Sequence, residues 1–186
     1  FLFFIIGRFS NVVGVQILTV AVGWHVYQLT RDPLDLGYIG LAQFLPALFL
    51  FLIAGYVSDK YDRRIILFFC NIAHFIVVVM LMLALWGEYN DVRIIFGILV
   101  LHGAARAFFH TAGQAILPNI VSTEAFPKAV AYSSSVNKAA QLIGPALGGA
   151  LIAWAGDWTY YVTLSMFALS ALSSIIISAR LKLETP

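Results

Sequence analysis

The sequence has little charge and almost no cysteine, and both shortages narrow what the chain can be. Charged residues make up 11% of its 186 residues, against about 25% in a typical soluble domain, whereas hydrophobic residues make up 61%. No soluble fold of this length can bury so much apolar surface, so the surrounding solvent must be lipid. The single cysteine, Cys70, excludes an internal disulfide. The net charge of +2 is too small to favour a nucleic acid partner.

Motifs of membrane enzymes are also missing. The sequence has no His-Glu-x-x-His pair, no Gly-x-Ser-x-Gly turn, no Asp pair inside its apolar stretches and no Cys/His spacing for a metal. His102 and His110 stand eight residues apart, a poor spacing for joint ligation from one helix. We therefore predict no catalytic residues, no metal site and no cofactor.

Six apolar stretches are each long enough to cross a hydrocarbon core of about 30 Å as a helix. They lack the alternation of apolar and polar residues that marks barrel strands. The sequence therefore predicts an all-α membrane protein in which residues 1–186 form one six-helix bundle. Because the chain opens without Met and stops just after the last stretch, we expect both ends to continue in the natural protein. The predicted spans are about 1–29, 36–57, 65–87, 93–117, 129–155 and 158–179.

Basic residues are unevenly divided between the two ends of these spans. Arg31 and Arg93 fall at one end, where most of the acidic residues also lie. Because cytoplasmic loops carry the excess of Lys and Arg, the other end is expected to face the cytoplasm, together with both chain ends. That basic end holds Lys60, Arg63, Arg64, Lys128, Arg180 and Lys182. The acidic residues of the opposite end are Asp32, Asp35, Glu88, Asp91 and Asp157.

Several spans contain polar residues, which are costly at membrane depth and usually face the protein interior or water. In the fourth span they recur every four positions and form one stripe, about 18 Å long at about 1.5 Å per residue. The fourth-span stripe consists of His102, Arg106, His110 and Gln114. The fifth span has Ser134, Asn137, Lys138 and Gln141, and the first has Asn11, Gln16 and Thr19.

Two interpretations of these residues are open. Either the stripes line a water-accessible cavity for a small-molecule substrate, or they join helices by hydrogen bonds and reach toward the membrane surface. Lys138 fits both, because it lies near the end of its span. We expect Arg8 to reach for the membrane surface, and His25 and His74 to be interfacial or packing residues.

No Asp or Glu stands in the middle of any span, so the formal charge at membrane depth is all positive. Either an anionic substrate complements this charge, or carboxylates come from a part of the protein outside this sequence. These spans alone therefore cannot run proton coupling through a central carboxylate. A histidine, with a reference pKa of about 6.5, could titrate instead.

A charged connection, residues 55–64, joins the second and third spans. It contains Asp59, Lys60, Arg63 and Arg64, with Gly55 where the second span is expected to end. So tight a connection predicts that the two spans are antiparallel neighbours. The pattern resembles the G-x-x-x-D-[RK]-x-G-[RK]-[RK] loop of the major facilitator superfamily, although Asp stands at position 62 where Gly is usual.

The fifth span carries a second pattern of that superfamily. Gly144, Pro145, Gly148 and Gly149 resemble a motif found mainly in its antiporters, in which glycines allow close helix approach and proline bends the helix. Because Arg106 follows rather than precedes the nearby Gly, the usual proton-transfer role of the fourth-span Arg is not carried over. Residues 44–46, 103–109 and 117–120 are similar to bacterial exporters of the enterobactin exporter group.

The resemblance implies the amino-terminal half of a twelve-span transporter, a 3+3 inverted repeat, in the bacterial cytoplasmic membrane. The carboxy-terminal half would be the missing partner. The implied function is export of a small organic or anionic solute by alternating access, as a proton-coupled antiporter. In that picture the charged connection latches the two halves on the cytoplasmic side. The alternative is a membrane scaffold or sensor that keeps the fold without transport.

Overall fold

The part of the chain that the structure describes folds into six α-helices and one short 3₁₀ turn. The computed structural model describes residues 1–87 and 91–183, with side chains as far as residue 177. No strand occurs within that part, which confirms the predicted all-α fold. Glu88 and the side chains of Arg180 and Lys182 lie outside the described part. The helices are α1 (Leu2–Thr30), α2 (Pro33–Lys60), α3 (Arg63–Trp86), α4 (Val92–Ala115), α5 (Phe126–Ala155) and α6 (Trp158–Leu183), with the 3₁₀ turn at Leu117–Asn119.

Aspartates begin three of the helices. Asp32, Asp62 and Asp91 precede α2, α3 and α4, and each carboxylate accepts a 2.9 Å hydrogen bond from the backbone N–H two residues later. Such a cap satisfies one of the four N–H groups that a helix start leaves unpaired. Pro33, in the first turn of α2, has no N–H to satisfy. Three of the polar turns are thus fixed by short local contacts.

The prediction that the second span ends at Gly55 is wrong. The helix continues to Lys60, and only Tyr61 and Asp62 separate it from α3. A Cβ added at Gly55 would meet no atom within 4 Å, so neither helix termination nor close packing explains this glycine within the described chain. Asp59 and Lys60 consequently lie on the last helical turn rather than in a loop.

Apart from α3 and α4, helices that follow one another in the chain make few contacts, so most of the packing joins helices that are not consecutive. α4 packs along both α2 and α3, and α1 packs along both α5 and α6. The predicted side-by-side packing of α2 and α3 therefore needs correction, because these helices touch at few positions. If α1, α2 and α3 are exchanged with α4, α5 and α6, the contact between α2 and α4 corresponds to the contact between α5 and α1. In the same way, the contact between α3 and α4 corresponds to the contact between α6 and α1. This correspondence is what a 3+3 repeat requires.

Glycine contacts show how the helices run. Along α1 and α5 the residue numbers rise together, because Gly144 lies against Gln16 and Gly148 against Val20. Along α1 and α6 they run in opposite directions: Gly7 lies against Ser173 and Gly14 against Met166. The odd-numbered α1 and α5 are thus parallel and α6 is antiparallel to them. This alternation is expected of a chain that crosses a membrane repeatedly.

Five of the helices are long and apolar enough to cross a membrane, within the described residues: α1 to α4 and the Trp158–Ile177 part of α6. Polar residues such as Lys138 and Gln141 lower the mean hydropathy of α5, and this helix is not among the five. The outer surface is apolar, with Leu52 81% exposed and Trp154 94% exposed. Large exposed apolar side chains on helices of this length are expected where lipid is the solvent.

A buried polar network joins three helices near the middle of the bundle. Asn11 of α1 donates a 2.9 Å hydrogen bond to the side-chain oxygen of Asn71 on α3. The Asn71 amide nitrogen in turn lies 3.0 Å from the Leu67 carbonyl and 3.3 Å from Ser174 Oγ on α6. Between transmembrane helices, one such bond contributes on the order of 0.6 kcal/mol.

Arg63 fastens the start of α3 to the ends of two other helices. Its Nε donates to the Ser58 carbonyl at 3.1 Å, and its Nη1 donates to the Ala115 carbonyl at 2.9 Å and to Asn119 Oδ1 at 3.4 Å. The last carbonyls of a helix lack intrahelical partners and carry the negative end of its dipole. The Arg63 guanidinium thus pairs with the Ser58 and Ala115 carbonyls at the ends of α2 and α4.

The glycine contact between α1 and α5 provides a test of the packing. A Cβ at Gly144 would lie 2.5 Å from Gln16 Cβ, closer than packed carbon atoms approach. We expect Gly144→Ala to lower the free energy of unfolding by about 1–3 kcal/mol through overpacking. Thermal unfolding of the full-length protein in detergent measures this. Gly97→Ala is the matched control, because a Cβ there meets no atom within 4 Å; equal melting temperatures for the two variants would refute the close approach.

The three hydrogen bonds of Arg63 predict a second stability effect. Arg63→Gln should lower the free energy of unfolding by about 1.5–3 kcal/mol, the range for hydrogen bonds that involve a charged group. Arg64→Gln should have little effect, because the described side-chain contact of Arg64 is a 3.9 Å approach to Asp62. Thermal unfolding of both variants under identical conditions decides; a larger loss for Arg64→Gln would contradict the role assigned to Arg63.

Candidate substrate cavity

Four helices line a partly open cavity of about 430 Å³. Helices α1, α2, α4 and α5 contribute to its wall, which combines aromatic rings with polar groups at membrane depth. Its aromatic residues are Phe44, Phe51 and Phe109. Its polar residues are Arg8, Asn11, Gln16, Thr19, Gln43, Arg106, His110, Asn137 and Gln141.

Six of the residues predicted for a central cavity lie in this wall. They are Asn11, Gln16, Arg106, His110, Asn137 and Gln141. They come from three helices, α1, α4 and α5, and the fold brings them to one space. Asn11 and Gln16 have two roles, since each also makes a hydrogen bond to another helix. Both sequence-level interpretations, cavity lining and helix joining, therefore apply to the same side chains.

The placement of three other predicted residues needs correction. His102 is fully buried between helices, and Gln114 and Lys138 are exposed outside the cavity wall. The reason is geometric: at about 3.6 residues per turn, each step of four residues rotates the stripe by about 40°. Over the three steps from His102 to Gln114 the direction changes by about 120°. Only the middle of the stripe, Arg106 and His110, faces the cavity.

Arg8 does not reach for the membrane surface as expected. Its side chain is 5% exposed and borders the cavity, with its Cζ 5.9 Å from the centre of the Phe4 ring. Its Nε and Nη1 are enclosed without a hydrogen-bond partner among the described residues. The signal for this position was its spacing, because Asn11 and Val15, three and seven residues later, share the cavity-facing side of α1.

Gln43 also lines the cavity and was not predicted to do so, whereas Thr19, which lines it too, belongs to the first-span stripe for which a cavity was one interpretation. Thr19 Oγ lies 3.3 Å from Gln43 Oε1, which joins α1 to α2. In this amide orientation Gln43 Nε2 is enclosed without a partner in the described part. Gly103 of α4 lies against the backbone carbonyl of Gln43, so that no side chain fits between α2 and α4. The two helices are therefore in close backbone contact at this point.

A pair of histidines lies behind the wall rather than in it. Their Nδ1 atoms are 3.1 Å apart, His74 belongs to α3 and His102 to α4, and neither side chain is exposed. His74 also stacks on Phe167 of α6, with ring centres 4.9 Å apart. The pair joins three helices, which agrees with the packing role expected for His74.

On the acidic side of the bundle, α1 and α6 are joined at their ends. His25 Nε2 lies 3.0 Å from the Asp157 carboxylate, and its Nδ1 lies 3.1 Å from the hydroxyl of the buried Tyr160. Gly156, with φ of 53°, ends α5 immediately before this contact. The cavity thus lies between a cluster of contacts at this end and the Arg63 junction at the other.

In the charged connection and in the fifth-span motif, some residues pack against neighbouring groups and others are exposed. Asp59 is open: its carboxylate is 80% exposed and 4.0 Å from Arg63. Lys60 Nζ lies over the rings of Tyr56 and Tyr61, 5.7 and 5.9 Å from their centres. In the fifth span, Gly144 and Gly148 pack against α1. A Cβ added at Gly149 would meet no atom within 4 Å, and Pro145, in the middle of the α5 sequence, has an exposed side chain.

Comparison with known proteins identifies the family. The MFS_3 family model, described as "Transmembrane secretion effector", matches residues 2–185. Among curated proteins, the multidrug efflux pump Tap of Mycobacterium tuberculosis (strain ATCC 25618 / H37Rv) is 31% identical over 167 residues, 86% of this chain and 39% of the relative. The uncharacterized MFS-type transporter YfiS of Bacillus subtilis (strain 168) is 28% identical over 160 residues, 84% of this chain and 36% of the relative.

A third relative has a named solute. The staphyloferrin A transporter of Staphylococcus aureus (strain NCTC 8325 / PS 47) is 24% identical over 155 residues, 81% of this chain and 38% of the relative. The chain spans less than two fifths of the length of each of these relatives. With the six-helix bundle and its repeat, the match across the chain shows that this protein belongs to the major facilitator superfamily of membrane transporters, in the transmembrane secretion effector family.

Proposed function

We propose that this chain is the amino-terminal half of an exporter that moves a small organic or anionic solute by alternating access. The observation that supports it most directly is the polar cavity between α1, α2, α4 and α5, inside a bundle whose outer surface is apolar. Groups that could bind a solute are thereby held at membrane depth. Transporters of this kind bind substrate near the bilayer midplane and rock two bundles about that site.

A second bundle, the carboxy-terminal half, would complete the cavity. Helices α2 and α5 both line the cavity and are largely exposed, with Phe49 of α2 72% and Leu142 of α5 79% exposed. The relatives are more than twice as long as the matched segment, which leaves room for six further spans. Residues of that second half would then provide the opposite wall.

Export, rather than uptake, is supported by two independent features. The relative Tap is named as an efflux pump, and MdtD of Escherichia coli, 23% identical over 180 residues, is named as a putative multidrug resistance protein. The Gly144–Gly148 contact with α1 is the packing that the antiporter-type fifth-span motif implies. We place the protein in the bacterial cytoplasmic membrane, with Lys60, Arg63 and Arg64 on the cytoplasmic side.

Proton coupling is the remaining part of the proposal. Within the described wall His110 is the one side chain whose reference pKa lies near neutrality, and the charged groups that share the cavity with it are Arg8 and Arg106. No carboxylate lines the described wall, so any acidic coupling group belongs to the other half. His110 is accordingly our candidate for the proton-binding group of this half.

Dye transport in inverted membrane vesicles tests transport and coupling together. Vesicles containing the full-length protein and acidified inside should accumulate a fluorescent organic anion such as Lucifer yellow, and accumulation should collapse when nigericin abolishes the pH gradient. His110→Gln should weaken the dependence on the gradient. Accumulation that nigericin does not change would contradict antiport, and the absence of transport for a panel of anionic, neutral and cationic dyes would favour the scaffold or sensor alternative.

The exposed carboxylate of Asp59 generates a prediction about the latch between halves. Asp59→Asn should reduce transport about tenfold or more, because a charged partner on the other half would lose its counter-charge, a loss of about 1.5–3 kcal/mol. Protein level and melting temperature should stay unchanged, since the described contact of Asp59 within this half is a 4.0 Å approach to Arg63.

The matched control for Asp59→Asn is Asp62→Asn. It removes one negative charge from the same connection, yet an amide oxygen can still cap α3 in place of the carboxylate. Transport rates of both variants are compared in the same vesicles at equal protein content. Normal transport by Asp59→Asn, or an equal loss in both variants, would refute a specific latch role for Asp59.

A further inference from the structure

We propose that the cavity selects organic anions, and that Arg8 of α1 and Arg106 of α4 together supply the counter-charge for a substrate carboxylate. The inference rests on the proposed transport function and narrows its substrate to one class. The class is an organic acid with an apolar or aromatic body of a size that fits about 430 Å³.

Arg8 is the first part of the argument, because its charge is buried without compensation. The side chain is 5% exposed, and its Nε and Nη1 have no hydrogen-bond partner among the described residues. The described ion pairs involve His25, Arg63 and Arg64, so none of them neutralises Arg8. An unpaired ion inside a protein costs several kcal/mol, and the attraction of an opposite charge is strong there.

The surroundings of Arg8 are shaped to hold a guanidinium. Gly113 of α4 leaves the space that Nη1 occupies, since a Cβ there would lie 2.9 Å from that atom. The Phe4 ring lies 5.9 Å from Cζ, which fits a cation–π contact. Neither neighbour supplies a negative charge. Arg8 borders two spaces, the cavity of about 430 Å³ and a second one of about 10 Å³ beside Gly113, and of these two the first has room for an organic counter-ion.

The other charged or titratable groups in the described cavity wall are also basic. Arg106 and His110 line the cavity from α4, and Arg8 faces them from α1. Gln43 adds an enclosed N–H donor without a partner, whereas no Asp or Glu lines the described wall. Free donors and positive charge on both sides favour a ligand that brings acceptor oxygens and negative charge. Phe44, Phe51 and Phe109 provide contacts for its apolar part.

Matched fluorescent probes test this selectivity. The full-length protein in nanodiscs is titrated with 1-pyrenebutyrate and with the neutral 1-pyrenebutanol, and empty nanodiscs give the background of each probe. We expect the anion to bind about tenfold or more tightly than the alcohol, as a charged hydrogen bond predicts. In Arg8→Gln and in Arg106→Gln, anion affinity should fall toward that of the alcohol, whose own affinity should change little.

Two further variants separate the proposed role from general damage to the fold. Arg93→Gln removes an exposed arginine from the start of α4, away from the cavity, and should keep the full anion preference. Gly113→Ala keeps every charge but crowds Nη1 of Arg8, and should reduce the preference. Size-exclusion profiles and melting temperatures of all variants show whether they fold.

The outcomes distinguish this inference from the function on which it rests. Equal binding of both probes by the wild-type protein would overturn anion selectivity and leave the cavity as a binding site for neutral solutes. An anion preference that survives Arg8→Gln would also overturn it. In that case the negative charge that neutralises Arg8 would come from the other half of the protein rather than from the substrate. Binding of neither probe would count against the cavity as a substrate site and so against the proposed function as well.

Discussion

A polar group inside a membrane must either find a partner in the protein or face water, and this constraint organises the whole bundle. Asn11, Asn71 and Ser174 satisfy one another between three helices. The paired histidines do the same behind the cavity wall. Arg8 and Gln43, which border the cavity, keep enclosed donors without partners in the described chain, as do the Nε2 atoms of the two histidines behind the wall. The cavity is the space at which nine polar side chains from four helices meet.

The helices and their turns could be predicted from the sequence because both are local properties. Uninterrupted apolar stretches set the helix lengths, and Asp32, Asp62 and Asp91 stand at the starts of α2, α3 and α4. The boundary at Gly55 was misplaced because a glycine in a lipid-facing helix costs too little to end it. Packing partners were predicted less well: a short connection fixes the order of α2 and α3, but α4 lies along both of them.

The cavity could be predicted in part, and the errors have one physical cause. A spacing of four residues marks a helix face only over about two turns, because the helix repeats every 3.6 residues. His102 and Gln114 therefore left the face that Arg106 and His110 occupy. Arg8 was missed for a different reason: its place near a helix end favoured the membrane surface over its spacing from Asn11, and the room that Gly113 of α4 leaves for its side chain is a tertiary feature.

The cross-packing of the two repeats has a consequence for biogenesis. Because α1 packs along α5 and α6, it has no lasting partner while the ribosome is still delivering the middle of the chain. The first three helices have little contact with one another, so they share no core of their own before α4 arrives. The nascent polypeptide must therefore hold α1 to α3 in the bilayer without a shared core until α4 is inserted, and α1 gains its main partners only with α5 and α6.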